Sequence, residues 1–221
     1  MSAFILIPGA GGMAWYWHRV PPLLRRAGHE AIAVDLPGDD ESIGLNDYAG
    51  LVVRAIGDRT DVVLAAQSLG GFTAPLVCAR APVRALVFVN AMIPEPGETA
   101  GAWWANTGAE KARVAAAEAS GYGAEFDLMT YFLHDVPAEV VSGGPPAQRP
   151  EAETVFGEPC RFERWPPIPI RVIASENDRF FPVGFQRRVA RNRLGADVET
   201  LPGGHLVALS NPEGLTDLLL R

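Results

Sequence analysis

VVLAAQSLGGFTAPL, residues 62–76, reads as a strand, a turn and a helix with no residue to spare between them. Residues 62–66 are uninterruptedly apolar, as expected of a parallel strand covered on both faces. Gln67-Ser68-Leu69-Gly70-Gly71 then opens a helix expected over 69–80. The pattern is G-x-S-x-G with Ala66 in place of the first glycine. In such a turn the positions two before and two after the serine come close together, so only Gly or Ala fits there. The serine is held on a strained bend with its hydroxyl above the sheet edge. The helix N-terminus beneath it favours negative charge nearby. A serine N-cap in a tight turn would leave the same short pattern. The rest of the chain must therefore supply a base and an orienting acid if Ser68 is to act as a nucleophile.

Outward from this stretch, short apolar runs alternate with helix-like ones. Strands are expected at 4–7, 31–34, 62–66, 86–89 and 170–174, with a weaker one at 197–201. Helices are expected at 21–27, 45–58, 69–80, 182–194 and from Asn211, where Pro212 suits the first helical position. The alternation implies an α/β fold, a doubly wound, mostly parallel sheet flanked by helices. Residues 91–167 interrupt the rhythm: they hold no strand-like run and are rich in Ala, Gly, Pro and aromatics. An insertion of that length is seldom structureless. It is expected to form a small helical cap after the fourth strand, over a core made of 1–90 and 168–221.

The composition narrows the function classes. The 221 residues are 48% hydrophobic and 20% charged, an ordinary globular balance. A net charge of −7 with no basic run argues against nucleic acid as a partner. Cys78 and Cys160 are far apart and lack metal-ligand spacing, so they read as reduced thiols of a cytoplasmic protein. No signal peptide and no membrane span is visible. Neither a metal nor a cofactor is implied, and whether the chain forms a homodimer is left open.

The first strand runs into a second glycine loop, FILIPGAGGMAWYWHRVPPLL at 4–24. Gly9-Ala10-Gly11-Gly12-Met13-Ala14 fits G-x-G-x-x-G/A, and Asp35 ends the next strand, as in a dinucleotide site. Pro21-Pro22 weigh against it, because they would fall inside the helix that such a site requires. A longer loop through 13–19, with a helix starting near Pro21, is the simpler layout.

The chain has four histidines. His205 follows Pro202-Gly203-Gly204 after the last strand, on a loop that can reach the C-terminal edge of the sheet. His29 precedes a strand and belongs at the opposite edge. His18 lies in the first glycine loop, where it lines a pocket or packs. His134 falls in the insertion, beside Asp135. After the fifth strand comes Glu176-Asn177-Asp178-Arg179-Phe180-Phe181-Pro182. Asp178 is the candidate acid, with Glu176 as competitor. The order Ser68, Asp178, His205 is that of hydrolases built on this kind of sheet.

With these pieces in place the chain resembles the α/β-hydrolase family over nearly its whole length, the insertion least. The resemblance rests on PGAGG at 8–12, DLPGDD at 35–40, AQSLGG at 66–71, ENDRFFP at 176–182 and PGGH at 202–205. Residues 12–38 are also similar to the branch of plant-type methylesterases and hydroxynitrile lyases. The resemblance implies Ser68 as nucleophile, His205 as base, Asp178 as orienting acid, and an oxyanion hole from the N–H groups of Ala10 and Leu69. Four features depart from the family pattern. Pro8 stands where most relatives have His, and Ala66 replaces Gly. DLPGDD lacks the usual second glycine and histidine. Ala10 lacks the threonine hydroxyl of the lyases, which leans toward ester hydrolysis. The first strand matches the third of the family, so a reduced sheet of about six strands is expected. The aromatic content of the insertion suggests a small to medium apolar ester, with His18, Trp103, Trp104, Met129 and Phe132 as candidate pocket residues. Three alternatives stay open: a lyase using the same three residues, a non-catalytic small-molecule-binding protein, and the dinucleotide reading.

Overall fold

The computed structural model describes residues 1–145 and 149–221. Residues 146–148 of the insertion lie outside the described residues. The chain alternates as the apolar runs predict: β1 (Ala3–Ile7), α1 (Val20–Arg26), β2 (Glu30–Ala33), α2 (Leu45–Ile56), β3 (Val62–Gln67), α3 (Gly70–Cys78) and β4 (Ala85–Val89). Five short helices follow among the described residues: α4 (Ala100–Thr107), α5 (Ala109–Ser120), α6 (Leu128–Tyr131), α7 (Ala138–Ser142) and α8 (Glu153–Gly157). The alternation then resumes with β5 (Ile170–Ser175), α9 (Val183–Leu194), β6 (Val198–Leu201), α10 (Val207–Ser210) and α11 (Pro212–Leu219).

The six strands form one parallel sheet in the order β2-β1-β3-β4-β5-β6. Side chains alternate across it. Ile5, Ile7, Leu64, Phe88 and Val172 face a core shared with Tyr48 and Val52 of α2, Phe72 and Leu76 of α3, and Phe185 of α9. Phe4, Leu6, Val63, Val87 and Ile173 face the other way, onto Val20 and Leu24 of α1 and Leu215 and Leu219 of α11. Burial on both faces explains why the strands read as continuous apolar runs.

The order also fixes where a site can form. After β1 the chain runs outward to β2, and then returns to lay β3 on the other side of β1. The loops leaving β1 and β3 therefore diverge, and a crevice opens between them at the C-terminal edge. α1 begins at Val20 with its prolines in the first turn, outside the glycine motif, and a short 3-10 turn at Ala14–Trp17 fills the gap. Gly9–Gly12 thus does not itself open an α-helix, as the dinucleotide reading requires. Asp35, its candidate ribose acid, is engaged by Arg149 and by the Ala14 N–H. Among the described residues, no helix is long and apolar enough to cross a membrane.

Candidate active site

Each polar side chain of the site stands just beyond the end of a strand. Ser68 follows β3 with φ +51°, a left-handed conformation costing roughly 1–3 kcal/mol that packing must hold. The requirement for small residues is visible around it. A Cβ at Gly70 would lie 2.4 Å from the Pro8 carbonyl oxygen, and one at Gly9 would lie 2.8 Å from the Ser68 Cβ. The loops after β1 and β3 thus touch backbone to backbone, and this contact brings Ala10 beside the serine.

Ser68 Oγ lies 3.1 Å from His205 Nε2, and His205 Nδ1 lies 2.9 Å from Asp178 Oδ2. All three residues are buried. Asp178 Oδ1 accepts the N–H groups of Phe180 and Phe181 at 2.8 and 2.9 Å, and Gln186 of α9 donates to Oδ2 at 3.2 Å. A carboxylate placed only among donors accepts from Nδ1–H, which leaves the Nε2 lone pair facing the serine hydroxyl. That arrangement can draw the proton from Ser68 as its oxygen attacks an electrophile. Glu176, the competing acid, is exposed and turned to the Thr200 hydroxyl at 3.2 Å.

Asn90 was not singled out from sequence, though it stands where the apolar β4 ends. Its Nδ2 donates to Ser175 Oγ at 2.8 Å and to the carbonyls of Gly204 and His205 at 3.1 Å, while its Oδ1 accepts the Ser175 N–H at 2.8 Å. It fastens the ends of β4 and β5 to the loop that carries His205.

The N–H groups of Ala10 and Leu69 have no acceptor among the described residues, and both residues line a cavity of about 110 Å3 above Ser68. Tyr16, Met92, Trp104, Phe132, Phe156 and Phe180 also line it. Phe132 stacks on the His205 ring with centroids 4.7 Å apart, and Phe180 meets that ring edge-on at 5.0 Å. A hollow of about 550 Å3 lies on the far side of Asp178, beside His134 and Arg179, and does not include Ser68.

Of the five pocket residues expected from sequence, Trp104 and Phe132 line the cavity and three do not. Trp103 is fully buried and donates its indole N–H to the Ile93 carbonyl at 3.1 Å, so it packs α4 onto the core. Met129 is 59% exposed on α6, with no wall to complete. His18 is exposed and held against Trp15, Nδ1 lying 2.8 Å from the Trp15 carbonyl oxygen. Its near neighbour Tyr16 reaches the cavity instead. His29 takes the far edge, where its Nδ1 accepts the Ser2 N–H at 3.2 Å.

The Alpha/beta hydrolase family profile matches residues 4–218, nearly the whole chain. The protein belongs to the alpha/beta hydrolase family. Among curated relatives of this chain is "Probable esterase PIR7A" of Oryza sativa subsp. indica, 36% identical over 44% of this chain and 42% of the relative. The chain thus spans about two fifths of that relative's length in the match. "Esterase PIR7B" of Oryza sativa subsp. japonica is 28% identical over 99% of this chain and 94% of its own. The crystal structure of polyneuridine aldehyde esterase superposes with a TM-score of 0.79 at 22% identity, covering 100% of this chain and 98% of that one. At that identity the likeness is one of fold.

Proposed function

We propose that this hydrolase cleaves a small to medium apolar carboxylic ester through an acyl-enzyme on Ser68. The observation that carries the reading is the run of contacts from Asp178 through His205 to Ser68, at 2.9 and 3.1 Å, ending under a largely apolar cavity. The esterase names of the curated relatives support the same class. His205 takes the Ser68 proton as Oγ bonds to the ester carbonyl carbon. Asp178 holds the ring's orientation and stabilises the imidazolium. The negative carbonyl oxygen is received by the N–H groups of Ala10 and Leu69, each such donor being worth about 3 kcal/mol of barrier. The tetrahedral intermediate collapses, His205 gives its proton to the departing alkoxide, and the alcohol leaves. Water, activated by the same imidazole, then releases the acid and regenerates Ser68.

In this reading residues 91–167 act as a cap, whose Trp104, Phe132 and Phe156 close the cavity over the serine. A space of about 110 Å3 suits a short or compact acyl group. The unpaired thiols of Cys78 and Cys160 fit the proposed cytoplasmic setting.

A fluorophosphonate probe followed by peptide mapping tests the assignment. Label is expected on Ser68 alone and none on Ser68→Ala. With an ester panel of graded acyl length, turnover should fall as the acyl chain outgrows the cavity. A wild-type protein that neither takes the label nor turns over any ester of the panel overturns the reading.

A further inference from the structure

Glu151 is a half-buried carboxylate with no part in the chemistry just described. It reaches the site from a strip of the insertion, 149–152, that lies directly on the loops after β1 and β2. Its Oε2 accepts the Gly11 N–H at 2.6 Å, and its Oε1 accepts the Tyr48 hydroxyl at 2.7 Å. The strip is anchored on both sides of it. Arg149 donates to both carboxylate oxygens of Asp35 at 2.8 Å and to the Leu36 carbonyl at 2.9 Å, and the Ala152 N–H bonds the Gly38 carbonyl at 2.7 Å.

A four-residue turn with glycine at its third position can take either of two forms. The Gly12 N–H bonds the Gly9 carbonyl at 3.1 Å, closing a four-residue turn with Ala10 and Gly11 at its centre. Gly11 has φ +80°, the type II arrangement. Types I and II differ by a flip of the central peptide, here the one joining Ala10 to Gly11. Glycine tolerates either sign of φ, so Gly11 alone does not choose between them. Glu151 does. In the observed form the Gly11 N–H meets the carboxylate. After a flip the Ala10 carbonyl oxygen would face it, two acceptors with no proton between them.

We propose that Glu151 is a positioning residue for the oxyanion site: by fixing the Ala10–Gly11 peptide it anchors the Gly9–Gly12 turn in place, and with it the adjoining Gly9–Ala10 peptide whose N–H faces the cavity. The cap thereby does more than wall the pocket: the loop is competent only while the 149–152 strip is seated on it. The inference rests on the reading of Ser68 as nucleophile.

The clamp should also respond to protonation. Burial pushes the Glu151 carboxyl up to about 7, although Tyr48, the Gly11 N–H and Arg149 all pull it down. The charged and titratable groups facing it are Tyr48 from α2, Arg149 on its own strip and Glu41 on the loop after β2; Asp39 acts on Tyr48. The ionised form accepts from both donors with charge assistance. The neutral form loses that assistance, so the clamp weakens as pH falls through this range.

Steady-state hydrolysis of p-nitrophenyl acetate by the full chain tests this, after wild-type Ser68 has been shown to take the fluorophosphonate label. A Ser68 that takes no label refutes the underlying reading. With label present, Glu151→Ala is expected to lower kcat by about 10- to 100-fold, with KM within about twofold, the mark of a misplaced transition-state donor. Glu151→Gln, which keeps an acceptor for the Gly11 N–H but not the charge, should recover only part of the loss. A folded Glu151→Ala with wild-type kcat overturns the proposal. Should the alanine variant fail to fold, pH profiles decide. The acid limb of kcat carries one ionisation more in wild type than in Glu151→Gln, and superimposable limbs overturn the proposal.

Discussion

The C-terminal edge of the sheet and the insertion after β4 meet at one cavity, but they contribute to it in different ways. The edge supplies polar side chains whose positions follow from the backbone: Ser68, Asn90, Asp178 and His205 each stand just past a strand end. Their partners are fixed groups, such as the two N–H bonds on Asp178 and the carbonyls bonded by Asn90. The insertion supplies aromatic walls and, in Glu151 and Asp135, carboxylates that grip core backbone. Asp135 accepts the Gly204 N–H at 2.5 Å, one residue before His205, as Glu151 accepts that of Gly11, one residue after Ala10. A parallel sheet repeats its edge geometry wherever strands end. A helical insertion can seat itself in many ways, and is held here by a few specific contacts.

Asp178→Asn challenges the edge most directly. The amide cannot hold the ring with a proton on Nδ1 in the way the carboxylate does, so kcat should drop by about 10^4-fold while stability changes little. Stopped-time ester assays and a thermal melt check both halves. A loss of only a fewfold would mean that the edge owes less to this carboxylate than its contacts suggest.

The seam between the two regions is tested at Glu98 and Arg193. Glu98 precedes α4 and Arg193 lies on α9, and their side chains are only 5% and 7% exposed. They meet through two bonds, one of them at 2.9 Å, and Asn106 adds a third to Glu98 at 2.8 Å. Burial alone would raise the Glu98 carboxyl, but the bonds from Arg193, Asn106 and the Glu95 N–H outweigh it and hold it below the usual carboxylate range. A depressed carboxyl stabilises the fold above its unfolded-state pKa, and that contribution is lost as pH falls through the folded one. Glu98→Gln leaves Arg193 buried without its counter-charge and should cost about 3–5 kcal/mol at neutral pH. Urea titrations from pH 7 to 3 should show the gap between variant and wild type closing on the acid side.

The wall residues should matter least for chemistry and most for selection. Phe132→Ala removes the ring stacked on His205 and opens the cavity, so kcat/KM for short esters should fall about tenfold, with a smaller loss for bulkier ones. A parallel loss across the ester panel would mean that Phe132 supports the imidazole and does not select the acyl group.

What could be read from the sequence divides along the same boundary. The inner strands were legible because burial on both faces leaves nearly unbroken runs of Val, Ile, Leu and Ala, whereas the edge strand β6, V-E-T-L and only partly buried, gave the weakest signal of the six. Ser68, Asp178 and His205 were legible as a set because strand ends mark the edge without any knowledge of side-chain packing. The insertion offered no such ruler. Trp103 and Trp104 are neighbours in sequence, yet successive helical residues point about 100° apart, so one is core and the other lines the cavity. Met129 and His18 failed as pocket residues for the same reason: the orientation of a short helix or turn depends on what it packs against. Glu151 and Asp135 look like any solvated acid until the chain folds. Their partners lie 140 and 69 residues away, and local pattern carries no trace of such contacts. Asn90 did leave a signal, a lone amide where an apolar strand ends.

The bonds of Asn90 bear on how this protein would fail. Because one amide joins two strand ends to the histidine loop, His205 cannot drift from Ser68 while the sheet remains intact. The weak points are the rims that the insertion presses into place. Warming should therefore loosen the grip on the acyl group first, letting selectivity blur, and should silence turnover only when the sheet itself melts.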